Sequence, residues 1–178
     1  MGNNDNSEYF CISIHMHTAI LILGSNEGNR SEFLQQGRTL LASEAGNILR
    51  YSGIYETASW GREDLPPHLN QVLMLTTPFD PFSLLSIIQR IENRLGRSRQ
   101  ERWGLRTLDI DMLFFDEEIV QHDRLQIPHP RLQDRKFVLI PLAEIVPDLI
   151  HPEFQKTIAT LLQECKDTLA VERIGEGI

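Results

Sequence analysis

Six arginines lie between Arg90 and Arg106, and two aspartates, Asp109 and Asp111, follow at once. A guanidinium is a planar fork that meets phosphate oxygens two at a time, so Arg97, Arg99, Arg102 and Arg106 suit a discrete, multiply charged anion. Side chains alternate along a strand, which turns Asp109 and Asp111 to one face and Leu108, Ile110 and Met112 to the other. Two carboxylates on one face repel unless something lies between them. A divalent cation would, and all-oxygen ligands suit Mg²⁺, which takes one or two carboxylates plus substrate phosphates. The alternative is an exposed sheet face whose acids pair with nearby arginines. Cations and carboxylates in one short stretch favour phosphate chemistry, which needs alignment and charge neutralisation more than a dedicated general base.

Three further groups have chemical potential. His129 stands between Pro128 and Pro130, which stiffen the backbone around it, and Arg135 follows; either can contact a phosphate or serve structure alone. Asn70, after Pro66, Pro67 and His68, can donate and accept together, as the edge of a heterocycle requires, or cap a turn. The run from Gly24 to Asn29 lacks the Gly-Lys-Ser/Thr ending of a phosphate loop and reads as a turn.

The elements that must hold these residues follow from periodicity. Thr18–Leu23 reads as a buried first strand, and Phe33, Leu34, Leu40 and Leu41 mark a helix. Ile48–Thr57 reads as a second strand, Leu69–Thr77 as a third and Thr107–Phe115 as a fourth, with a loop at Ala58–Pro67. Asp80 followed by Pro81 starts a helix that Gly96 ends. Val120–Ile127 suggests a short hairpin, and helices are expected around Leu139–Ile145 and Thr157–Cys165. The order β-α-β-β-α-β predicts an α+β, ferredoxin-like sandwich: an antiparallel sheet with helices on one face, plus a C-terminal helical segment. Residues 1–17 form an N-terminal extension, disordered or adding an edge strand, before a single domain over 18–178.

A net charge of −8, with 14 Arg and three Lys, excludes a nucleic-acid protein, whose affinity rests on neutralising phosphates over a broad surface. It also disfavours a nuclease reading of the aspartates. An RNA-binding ferredoxin-like sheet would present aromatics where Asp109 and Asp111 stand. No apolar run can cross a bilayer, and no basic segment precedes Arg30 as in a secretory signal. Cys11 and Cys165 have no metal-ligand spacing, so a reducing, cytoplasmic setting is expected.

From about Thr18 to about Pro152 the chain resembles the 6-hydroxymethyl-7,8-dihydropterin pyrophosphokinase family of folate biosynthesis. The resemblance rests on blocks in order: Leu23 to Asn26, Tyr55 to Thr57 with Gly61, Leu69 and Asn70, Ile91 and Glu92, Gly96 and Arg97, Arg102 to Gly104, Arg106 to Asp111, Pro128 to Pro130, Arg135 with Phe137, and Pro141 with Leu142. It implies attack of the pterin hydroxymethyl oxygen on the β-phosphorus of ATP, releasing AMP. By resemblance, Asp109 and Asp111 hold two Mg²⁺ ions, and Arg97, Arg99, Arg102, Arg106, His129 and Arg135 contact phosphates. ATP-side contacts match Gln89, Glu92 and Arg124; the pterin side matches Thr57, Trp60, His68, Asn70, Trp103 and Phe137. The partners implied are ATP and a pterin alcohol, with no nucleic acid and no membrane, acting on a monomer or, alternatively, a dimer. The chain departs from the family pattern at His68, where an aromatic ring is usual, at Ala58, Ser59 and Trp60, and at Leu105, where proline is usual.

Overall fold

The computed structural model describes residues 15–58, 66–96 and 105–176. Its elements are β1 (His17–Ser25), α1 (Arg30–Glu44), β2 (Asn47–Tyr51), β3 (Ile54–Thr57), β4 (His68–Thr77), α2 (Pro81–Arg94), β5 (Asp109–Phe115), β6 (Val120–His122), β7 (Leu125–Ile127), a 3₁₀ turn (Leu132–Asp134), α3 (Lys136–Ile145), α4 (Ile158–Glu164) and β8 (Val171–Gly175). The main sheet runs β5-β1-β4-β3-β8, with β2 also on β4, and every pairing is antiparallel. Taken together, β2 and β3 fill the second-strand place of a ferredoxin-like sheet.

Capping chemistry explains both large helices. Asn29 Oδ1 accepts from Glu32 N–H while Asn29 Nδ2 donates to Glu32 Oε2, a reciprocal closure of the first turn of α1. Asp80 Oδ1 accepts from Phe82 and Ser83 N–H, and Pro81 occupies the first helical position of α2. Leu84, Ile88 and Ile91 then face the sheet and pack with Leu34 and Leu41 of α1.

A second core lies on the other face. Ile20, Ile22, Val72, Leu113 and Phe114 pack against Val138, Leu139 and Leu142 of α3 and Ile158 and Leu161 of α4. The C-terminal helices therefore cover the face that α1 and α2 leave open.

Three details differ from the sequence expectation. The stretch Ile48–Thr57 is divided at Ser52 and Gly53, because the Ser52 hydroxyl accepts from Val72 N–H and Ser52 O accepts from Gln71 Nε2. A Cβ on Gly53 would lie 2.4 Å from Arg173 Nε and 3.0 Å from Gly175 O, so a side chain here would make the Arg173 guanidinium shift where β8 closes on this junction. Strand β8 itself was not expected; Val171 to Gly175 alternates weakly and is half charged, the signature of an edge strand. The first strand begins at His17, one residue before the domain start read from sequence.

Candidate active site

The pairing register builds the site. Asp109 pairs with Gly24, Gly24 with Asn70, and Asn70 with Tyr55, forming a row across four strands. Cross-strand partners in an antiparallel sheet share a face. Asp109 and Asn70 thus face the same side as Tyr55, whose hydroxyl donates to Glu144 Oε2 of α3 at 2.8 Å. Between them Gly24 has no side chain, and a Cβ there would lie 3.3 Å from Asn70 Oδ1. The row is therefore a shallow trough with a carboxylate at one end and an amide at the other. The next row pairs Asp111 with Ile22 and Ile22 with Val72, the rim of the second core.

The carboxylates are held from three sides. Arg106 forms an ion pair with Asp109, so an acid here does pair with an arginine, the alternative that the sequence left open. Asn26 clamps the backbone of Arg106: Asn26 Oδ1 accepts from Arg106 N–H at 2.7 Å, and Asn26 N–H donates to Arg106 O at 3.1 Å. Glu92, 1% exposed on α2, accepts from Ile110 N–H at 2.8 Å, fixing the residue between the two aspartates. Burial, Asp109 and Glu92 together push the Asp111 carboxyl well above the usual carboxylate range, and Arg106 and Arg135 offset only part of this. A hard divalent cation answers that imbalance, and the all-oxygen donor set fits Mg²⁺.

His129 hangs on the outer rim of β5 through its N–H to Leu113 O at 3.0 Å. Its Nδ1 accepts from Arg131 N–H at 3.3 Å, which assigns the ring proton to Nε2. Burial and the neighbouring Arg135 push its pKa down to about 4, so near neutrality the ring is an uncharged donor. Arg135 precedes α3, with its guanidinium 5.7 Å from the centre of the Phe137 ring. At the other end of the trough, Asn70 Nδ2 donates to Thr57 Oγ1 at 3.1 Å, fixing the amide orientation over Gly24. His68 pairs with Thr57 across β3 and β4, and burial followed by Arg106 lowers its pKa.

The structure thus brings together Asp109, Asp111, Arg106, His129 and Arg135, with Thr57, His68 and Asn70 along the trough. Gln89 lies half-buried one turn before Glu92 on α2, and Arg124 is exposed in the β6–β7 turn. Arg97, Arg99, Arg102, Trp60 and Trp103 lie outside the described residues. Sequence reasoning gave Gly24 and Asn26 no task in the site, reading them as part of a turn and of a block shared with the family. Their roles depend on which strands flank β1, and no local signal in the chain carries that. Elsewhere, His17, Asp116 and Glu118 bring ligand atoms within 4.8 Å of one another at the opposite end of β1 and β5.

A family model for 7,8-dihydro-6-hydroxymethylpterin-pyrophosphokinase matches residues 20–147. The 2-amino-4-hydroxy-6-hydroxymethyldihydropteridine pyrophosphokinase of Bacillus subtilis is 46% identical over 128 residues, spanning 71% of this chain and 77% of its own length. The enzyme of that name from Haemophilus influenzae is 39% identical over 153 residues, spanning 85% of this chain and 95% of its own. Among solved structures, Plasmodium falciparum HPPK-DHPS superposes with a TM-score of 0.70 at 17% identity over 86% of this chain. This chain spans only 45% of that two-part protein, so the likeness concerns the fold of one part. The matched span holds the trough, its carboxylates and the residues that clamp them, and the chain belongs to the 7,8-dihydro-6-hydroxymethylpterin-pyrophosphokinase family.

Proposed function

We propose that this chain transfers the pyrophosphoryl group of ATP to the hydroxymethyl oxygen of 6-hydroxymethyl-7,8-dihydropterin, releasing AMP, with Mg²⁺ held by Asp109 and Asp111. The observation that carries the reading is the row Asp109–Gly24–Asn70, which aligns a carboxylate, an open floor and a heterocycle-reading amide on one face.

Each residue has a task in this reaction. Asn70, oriented by Thr57, offers its Oδ1 to N–H groups of the pterin edge, while Gly24 leaves space for the ring. His68 and Phe137 flank the ring, the imidazole stacking more weakly than a larger aromatic. Bound Mg²⁺ would neutralise the triphosphate and polarise the phosphorus under attack. Arg106 turns from Asp109 to a phosphate oxygen as substrate arrives, and Arg135 adds a second fork. His129 donates Nε2–H to a phosphate oxygen without needing to be protonated. Arg97, Arg99 and Arg102 supply further phosphate contacts, Trp60 and Trp103 help enclose the pterin, and Gln89, Glu92 and Arg124 form the nucleotide side. The hydroxyl proton passes to solvent or to a phosphate oxygen, since among the described residues no side chain is positioned as a dedicated base. The partners are these small molecules alone. The enzyme acts in the cytoplasm as a monomer or, alternatively, a dimer; no helix of the described residues is long and apolar enough to cross a membrane.

The test is an assay with ATP, the pterin alcohol and MgCl₂. Equal amounts of AMP and pterin pyrophosphate, lost on chelation of the metal, are expected. ADP as the nucleotide product, or no turnover by folded protein, overturns the reading.

A further inference from the structure

The sheet carries a second concavity on its opposite face. A cavity of about 380 Å³ opens between α1, β3 and β4, with Leu34 and Ile54 in its wall and Ser31 and Glu32 at its margin. Gln71 lines it and follows Asn70 on β4, so the two amides point to opposite faces of one strand. Gln71 is fully buried. Its Nε2 donates to Ser52 O at 2.8 Å, which fixes the amide orientation and leaves Oε1 with no hydrogen-bond partner. A buried acceptor without a partner costs free energy.

Arg38 of α1 lines the same cavity. Its guanidinium stacks 5.0 Å from the centre of the Tyr51 ring, yet one buried nitrogen has no hydrogen-bond partner. Among the described residues no carboxylate pairs with it; Glu32, the acid in the same wall, bonds Asn29 and Gln36. Burial of part of the guanidinium lowers the Arg38 pKa. The cavity therefore presents an uncompensated cation, an uncommitted carbonyl acceptor and a carboxylate at its margin, over an apolar wall.

We propose that this cavity is a binding site for a small amino-carboxylate, the zwitterion of an amino acid. The carboxylate meets the Arg38 guanidinium, the ammonium donates to Gln71 Oε1 and to Glu32, and a short side chain rests on Leu34 and Ile54. Water satisfies the two orphaned groups one at a time but brings no charge to Arg38. The site is independent of the pyrophosphoryl-transfer reading, because none of its residues faces the trough.

The test is NMR on the full, isotopically labelled chain, following the Gln71 side-chain amide and the Arg38 Nε–H while L-alanine is added. Both signals are expected to shift saturably with one shared Kd. Acetate, which lacks the N–H donor, is expected to bind at least about tenfold more weakly. Arg38→Met, at a half-exposed position that leaves the Ser52 junction intact, is expected to weaken alanine binding at least about tenfold as well. Shifts that never saturate mean that the cavity holds water only and overturn the proposal. So do equal affinities for alanine and acetate, or unchanged alanine binding by a well-dispersed Arg38→Met protein.

Discussion

Strands β1 and β5 carry carboxylates at both of their shared ends, and the two ends treat them differently. At one end Asp116 accepts from Thr18 N–H at 2.7 Å and lies 2.7 Å from His17 Nδ1, while its own N–H donates to Thr18 O. Those bonds close the hairpin-like end of the pair, and with Glu118 the cluster is compact enough to resemble a metal site. At the other end Asp111 is crowded by Asp109 and Glu92, and burial raises its pKa further. The first end is closed by hydrogen bonds; at the second, Asp109 has Arg106 beside it, but Asp111 is left against its electrostatic preference. Compact ligand geometry alone marks a well-bonded strand end here; a carboxylate held against its electrostatic preference is the stronger candidate for a cation ligand.

The strongest way to break this comparison is to neutralise the unsatisfied end. Asp109→Asn with Asp111→Asn keeps the shape and removes the charge. AMP formation is expected to fall at least about 10³-fold, since losing metal-borne stabilisation of the transferred group removes several kcal/mol. Circular dichroism and thermal melting check that the variant folds. A fall of less than tenfold would move the metal, and with it the reaction centre, elsewhere.

Next comes the residue that holds the strand. Glu92→Leu leaves Ile110 N–H without its acceptor and frees Asp109 and Asp111 to drift. Mg²⁺ affinity is expected to fall by about 10–100-fold, the usual effect of losing a group that orients a metal ligand. Glu92→Gln keeps an oxygen for Ile110 N–H and is expected to recover most of that loss. Equal damage from both would show that the charge of Glu92, rather than the hydrogen bond, is what matters. Titrating Mg²⁺ by calorimetry separates these outcomes.

How far the sequence reached follows the same division. The helix start at Asp80 and the alternation of Asp109 with Ile110 are local, set by capping and strand periodicity, so they were legible. So was the opposite-face placement of Leu108, Ile110 and Met112, all found in the helix-side core. The division of Ile48–Thr57 was not, because it depends on Ser52 substituting for backbone against Val72, twenty residues away. The trough was invisible for the same reason: Gly24 matters only because β1 lies between β4 and β5. Glu92 was singled out through family likeness as a nucleotide contact, and its backbone hydrogen bond to Ile110 depends on how α2 packs.

A finer test uses stability instead of rate. Because Asp111 holds its proton more tightly in the folded chain than in the unfolded one, the metal-free protein loses stability as pH rises from the ordinary carboxylate value through the raised one. Asp111→Asn removes that loss. At pH 7.5 without metal the variant is expected to melt about 2–4 °C above the parent, the shift that about 1 kcal/mol produces in a chain of this size. At pH 4 the two should melt together. Added Mg²⁺ should raise the parent and leave the variant unmoved, reversing their order. A variant that melts lower at pH 7.5 would mean that Asp111 is already compensated.

The smallest effect belongs to the satisfied end. Asp116→Ala removes the acceptor for Thr18 N–H and the partner of His17, at a position whose φ of 45° also disfavours alanine. Stability is expected to drop by about 1–2 kcal/mol, read as a lower urea midpoint. Turnover and the Mg²⁺ requirement are expected to stay within about twofold of the parent, because β1 spans the sheet between this end and the trough and transmits no charge. Asp116→Gly, which accepts the same φ, should lose less stability than alanine while keeping the same activity, separating backbone strain from the missing carboxylate. A tenfold loss of Mg²⁺-dependent activity in either variant would give the compact cluster a catalytic role and erase the contrast between the two ends.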